Sequence, residues 1–130
     1  LPVLRLGLAR TATEVQIRDA AQAWLMRQAQ QVFSESLQRF APQLGVSYTK
    51  LRLSGAGTRW GSASADGAIR LNWRLIHLKP EMIDYVVVHE LSHLRELNHS
   101  PRFWAIVASV LPDYEQRQKQ LKAQILPPWE

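Results

Sequence analysis

The sequence predicts an α+β fold: a small, mainly antiparallel sheet of about three strands packed on a central helix, with a long N-terminal helix and further helices at the C-terminal end. Three observations lead there. Met82 to Leu97 is apolar on two opposite sides when wound at about 100° per residue, as a helix packed front and back must be. Between residues 46 and 73 lie three short runs of alternating character, separated by glycines. Before and after them come capped segments of helical period.

The elements follow in order. Leu1 to Arg10 alternates and reads as a short strand or extended arm. Thr11-x-x-Glu14 and Thr13-x-x-Gln16 both match a capping box. A helix over Val15 to Leu44 follows, with Trp24, Ala29, Phe33, Leu37 and Phe40 on its apolar side and Pro42 and Gly45 as its stop. Val46 to Leu53 alternates as a strand does. Ser54 to Thr58 is a loop, a glycine-rich phosphate cradle being the weaker reading. Arg59 to Ser64 and Ala68 to Trp73 form a hairpin about Asp66-Gly67. Arg74 to Lys79 connects to Pro80, which suits the first turn of the central helix.

Within that helix, Asp84 to Val88 is a β-branched run whose intrinsic preference leans to strand. Angular position argues for helix. Met82, Tyr85, Val86, His93 and Glu96 fall within about 60° of His89, and Ile83, Val87, Leu91 and Leu94 cluster opposite. Ser100-Pro101 opens another helix, with Phe103, Trp104, Ile106, Val107 and Leu111 as its buried stripe. Pro112 ends it. Asp113 to Ile125 forms a last charged helix, and Pro127-Pro128 closes the chain.

A chain of 130 residues points to one domain over residues 1–130. With no cysteine, disulfides and thiolate metal sites are excluded, leaving histidine and carboxylate as metal ligands. The formal net charge is +5, and the basic residues are scattered. A solvated surface is the plain reading, and an anionic partner such as nucleic acid the lesser one. No stretch approaches the ~20 apolar residues of a membrane span, and the first residues do not read as a signal peptide. The expectation is a cytoplasmic monomer.

The chemistry centres on His89-Glu90-Leu91-Ser92-His93. Four helical steps place His89 and His93 one turn apart on one face, the separation that lets two imidazoles share a metal ion. Glu90 lies ~100° around and flanks that face, where it can serve a water as general base. His99 follows Asn98, where the helix is expected to end, and a turn there brings a third imidazole back toward the metal. Glu96, three residues after His93, is the alternative third ligand or a partner behind the ligands. Arg59 is a candidate to hold a substrate carbonyl or carboxylate, or else forms an ion pair with a helix acid. Tyr85 and Tyr114 are candidate oxyanion donors, with core packing as the alternative. Asn72 is a candidate for substrate binding or support of the site.

Arg59-Trp60-Gly61-Ser62, Asp66-Gly67, Leu71-Asn72, Tyr85 to Leu94, Asn98-His99-Ser100, Phe103-Trp104 and Pro112-Asp113-Tyr114 together resemble the YgjP-like family of predicted metal-dependent hydrolases. That family is similar to the SprT-like and WLM zinc metallopeptidases. The resemblance runs from about Trp24 to Tyr114. Family members usually carry cysteines where this chain has Ala63 and Ser92; neither position is a proposed ligand. The resemblance implies a minimal zincin-like metallopeptidase domain. It implies one Zn2+ per chain on His89, His93 and His99, Glu90 as catalytic base, and a peptide or protein substrate. Relatives also suggest a uridine triphosphate pyrophosphatase, or a DNA-associated protease module. For a peptidase, the strand carrying Trp60 or the one ending at Asn72 would be the edge that an extended peptide joins.

Overall fold

A computed structural model describes residues 13–55, 57 and 59–124 of the chain. The arm read at Leu1 to Arg10, the Thr11 cap and the closing prolines lie outside the described residues. Thr13 opens helix α1 (Glu14–Leu44) with a reciprocal capping box: its hydroxyl accepts from the Gln16 N–H at 3.2 Å, and its own N–H donates to the Gln16 side chain at 2.9 Å. Gly45 ends the helix in the left-handed region, φ 68°, where its N–H reaches the carbonyls of Ala41 and Pro42. Pro42 is carried inside the last turn, so Gly45 alone is the stop. At 31 residues, or about 46 Å, α1 outruns the core it packs on. Its buried face starts only at Ala29, and Val15 and Ile17 are exposed.

Strands β1 (Lys50–Ser54), β2 (Gly61–Ala63) and β3 (Ala68–Asn72) form a sheet in the order β1-β3-β2. The β2–β3 hairpin is antiparallel, as its Asp66-Gly67 turn predicts, with Gly67 at φ 91°. Here the sheet departs from the expectation of a mainly antiparallel arrangement. β3 inserts beside β1 and runs parallel to it, so the sheet is mixed. Alternation fixes which side chains share a face but not which strands become neighbours. β3 is therefore interior, and among the described residues β2 is the edge strand on its side.

Asn72 caps a short 3-10 turn, Trp73–His77, by accepting from the Arg74 N–H at 3.0 Å. Helix α2 (Pro80–Ser92) starts with proline in its first turn and holds the β-branched run in helical form. Packing decides that contest. Met82, Ile83, Tyr85, Val86, Val87, Val88 and Leu91 are all buried, in one cluster with Phe33 and Leu37 of α1 and Ile69 and Leu71 of β3. The helix stops at Ser92, short of Leu97. From His93 onward the backbone bonds shorten to the tighter three-residue type (His93 to Glu90, Leu94 to Leu91, Arg95 to Ser92). Helix α3 (Pro101–Val110) is capped by the Ser100 hydroxyl, and α4 (Tyr114–Lys122) packs on α2. A polar clamp joins the two longest helices: Ser36 Oγ donates to Asp84 at 2.8 Å, and Arg39 lies 3.5 Å from the same carboxylate. No helix among the described residues is long and apolar enough to cross a membrane.

Candidate active site

The last turn of α2 and the corner after it bring three imidazoles together. His99 Nε2 lies 3.1 Å from His93 Nε2 and 3.2 Å from His89 Nε2. Nitrogens bound tetrahedrally at 2.0–2.1 Å are separated by roughly 3.3 Å, so this is the spacing of a shared cation. The three are the metal-competent group found among the described residues. His93 is the C-cap of α2 and keeps helical dihedrals (φ −64°, ψ −18°), which preserves the one-turn relation to His89. Ser100 then starts α3, so His99 sits in a tight corner between two helices.

The rings are oriented by different means. His93 Nδ1 lies 3.2 Å from the Glu96 carbonyl, and donation there leaves the Nε2 lone pair pointing at its two neighbours. His89 is held by ring packing, with Phe103 at 5.0 Å, Trp104 at 5.8 Å and Tyr85 at 5.9 Å between centroids. Its Nδ1 is buried without a hydrogen-bond partner among the described residues. Phe103 also underlies His93 at 4.5 Å and His99 at 5.0 Å. Burial, then the charges of His93 and His99, push the His89 pKa down to about 3, and burial lowers that of His93. His89 is thus neutral at physiological pH, the protonation state a metal ligand requires, and burial moves His93 in the same direction.

Glu90 is buried on the flank of this group, and burial raises its carboxyl pKa to about 7 against the opposing charge of Arg59. Gly61 of β2 makes room for it. A Cβ on Gly61 would stand 3.1 Å from Glu90 Cγ, 3.1 Å from the Arg70 carbonyl and 3.1 Å from Leu71 Cδ2. Sequence reasoning passed over Gly61 as a site residue; a glycine inside a strand run is the signal of such close approach. The three histidines, Glu90, Arg59 and β2 line a cleft of about 290 Å³. A smaller, mostly apolar recess of about 180 Å³ shares His89 and Glu90 and is lined by Trp60, Tyr85, Val86 and Leu121.

Other candidates lie elsewhere. Glu96 turns its carboxylate toward Arg102, 4.0 Å away, and meets the histidines only through its backbone carbonyl. The angle that put it on the ligand face assumed a helix running past Ser92. Asn72 is fully buried and does not line the cleft; its Nδ2 donates to the Arg59 carbonyl at 3.1 Å, bracing the segment that carries Arg59 to the rim. Tyr85 faces the apolar recess beside Gln118, its pKa pushed up to about 12 by burial. Tyr114 stacks on Trp104 at 5.2 Å. Neither tyrosine lines the histidine cleft. Ala63 lines that cleft, and Ser92 is buried with its hydroxyl on the Val88 carbonyl at 2.7 Å.

A histidine pair on a helix flanked by glutamate, a third histidine beyond it and a small sheet alongside define a zincin-like metallopeptidase, a metal-dependent hydrolase. The chain belongs to the YgjP-like family: the YgjP-like metallopeptidase domain matches residues 5–124. Its fold is similar to the crystal structure of the metallopeptidase zymogen abylysin of Pyrococcus abyssi. That match has a TM-score of 0.65 at 25% identity and covers 72% of this chain and 96% of that one. The metallopeptidase zymogen jannalysin of Methanocaldococcus jannaschii matches with a TM-score of 0.61 at 15% identity, covering 69% and 93%. A comparison with curated proteins finds no match. The family implies a catalytic metal and peptide or protein substrates.

Proposed function

We propose that the chain is a single-domain zinc peptidase that holds one Zn2+ on His89, His93 and His99 and uses Glu90 as general base. The observation that carries this is the convergence of three Nε2 atoms at 3.1 and 3.2 Å beside a buried carboxyl. Neutral imidazole nitrogens without thiolates suit zinc among the common divalent cations. When bound, zinc supplies Lewis-acid polarisation of a carbonyl and makes water acidic near neutral pH. Glu90 takes a proton from the attacking water and returns it to the leaving amine. A proton affinity raised toward neutrality by burial fits a group that must do both. Arg59, exposed at the rim, holds a substrate carbonyl or carboxylate and moderates Glu90 through its charge. The edge strand β2 receives the extended substrate by backbone pairing.

Metal analysis of wild type, His89→Ala and Glu90→Gln, run alongside a substrate panel, tests the reading. Wild type should contain about one zinc per chain and cleave casein. His89→Ala should lose the metal, and Glu90→Gln should keep it but lose turnover. Glu90→Gln with full turnover removes Glu90 from the role of base. Hydrolysis of uridine triphosphate without casein cleavage assigns the site to phosphorus chemistry. Cleavage that requires added single-stranded DNA makes the chain a DNA-associated protease.

A further inference from the structure

The sheet has a second face that no helix among the described residues covers, and Lys50, Arg52 and Arg70 on it are exposed. Register places Arg52, Arg70 and Ser62 in one cross-strand row, with Lys50 and Ala68 in the next. The intervening residues, Leu51, Ile69 and Leu71 among them, turn inward to the helices. On the outer face lies a concavity of about 400 Å³ whose charged lining is Lys50, Arg52, Arg59, Arg70 and Asp66. Asp66 is occupied by its own turn. It accepts from the Ser64 hydroxyl and the Ala68 N–H, and those bonds, with the charge of Lys50 behind them, hold its pKa low. Neither Arg52 nor Arg70 forms an ion pair among the described residues. Like charges directly opposite on neighbouring strands destabilise a sheet, so this pair works against the fold.

The two faces meet at β2. Arg59, Ser62 and Ala63 line both the outer concavity and the histidine cleft. A peptide paired to β2 turns successive side chains to opposite faces: one set toward α2, the alternate set over the outer face beside Ser62. The peptide backbone then runs two strand spacings, ~10 Å, from β3. Ser62 is the small residue between, and an extended arginine and an extended glutamate span that gap. We propose that the open sheet face selects acidic side chains at alternate positions of an extended peptide substrate, with Arg70 as the selecting residue, Arg52 one strand further back adding to its positive field, and Arg59 at the junction with the cleft. This rests on the peptidase reading above. A single-stranded nucleic acid is the other polyanion such a face could take, but among the described residues the concavity offers no aromatic side chain for a base to stack on.

The test compares two labelled ten-residue peptides of identical centre, with glutamate or lysine at every second flanking position, in both parities. Wild-type protein should prefer the glutamate peptide in one parity only, by on the order of 10-fold in kcat/KM and mainly through KM, with the preference shrinking in added salt. The R52E/R70E variant should cleave a neutral peptide normally and reverse the preference. Equal rates on both peptides, or a preference that survives R52E/R70E, overturns the proposal. Tighter binding of a labelled oligo-dT that R52E/R70E abolishes also overturns it, in favour of nucleic acid. If no peptide is cleaved, the peptidase reading fails on its own. Fluorescence anisotropy of the glutamate peptide then decides the face: binding in one parity that R52E/R70E abolishes supports it, and no binding overturns it.

Discussion

Replacing Glu90 with glutamine should stabilise the metal-free protein at alkaline pH. The side chain is 7% exposed, and desolvation lifts its pKa from 4.5 to about 7, with Arg59 pulling the other way. Between those values the native protein holds a proton that the unfolded chain has released. The group's contribution is therefore fully present below pH 4.5 and is lost as pH rises through 7. The rise from 4.5 to about 7, at ~1.4 kcal/mol per tenfold change in proton affinity, makes the ionised carboxylate cost about 3 to 4 kcal/mol, an upper figure because a fold relaxes around a buried charge. Glutamine fills the same space and does not titrate. Wild type and Glu90→Gln, stripped with EDTA, should thus differ by a constant at pH 4.5 and below. The gap should widen in favour of the variant up to pH 8, by roughly 10 °C in Tm. Thermal melts followed by circular dichroism at half-unit pH steps give the curve directly. Saturating zinc should shrink the difference, since a cation beside the carboxylate restores the charge's partner. Difference curves that stay flat from pH 5 to 8.5 would refute the reasoning, because they would mean that Glu90 ionises in the fold as easily as in water.

Other consequences of the same geometry are open to measurement. Gly61→Ala sets a methyl 3.1 Å from Glu90 Cγ and should lower kcat about 10-fold while zinc content stays at wild-type level; unchanged kcat places the base elsewhere. Phe103→Ala removes a fully buried ring from beneath all three histidines. It should cost about 3–5 kcal/mol in urea unfolding and weaken zinc binding in a competition with a chromogenic chelator. Adding zinc at about 1,000 times its Kd should stabilise wild type by about 4 kcal/mol and leave His99→Ala nearly unmoved. Ser36→Ala cuts the α1–α2 clamp and should cost about 1 kcal/mol with activity unchanged.

Much of the fold was legible because local chemistry and burial agree. The Thr13 box, the Gly45 stop, the Asp66-Gly67 hairpin and the Ser100-Pro101 start each rest on a residue whose own geometry dictates the outcome. The pairing of β1 with β3 was not legible, because nothing in alternating side chains says which strand a neighbour will be. Nor was the extent of burial on α1: the periodic pattern from Val15 onward continues past the point where the core can reach it. The end of α2 shows the same limit. Leu94 and Leu97 continue the apolar rhythm, yet the backbone tightens at His93 and leaves Leu97 at 77% exposure on the cleft rim.

That early ending is what assembles the site. Were α2 to run on to Leu97, Glu96 would fall near the His89–His93 face and His99 would be carried a further turn along the axis. By stopping at Ser92, the chain spends residues 93–99 on a turn whose first carbonyl partner, Glu96, fixes the His93 ring and whose last side chain returns to within 3.2 Å of His89. Histidine spacing on the helix is written in the sequence as an interval of four. The third histidine's place depends on a helix terminus, the feature that periodicity reads least well. Glu90 depends on something further still. Its burial comes from an edge strand some thirty residues earlier, where a missing side chain at Gly61 admits it. The same strand separates the histidine cleft from the arginine row, so one short edge positions the base and, on the reading proposed above, sorts the substrate.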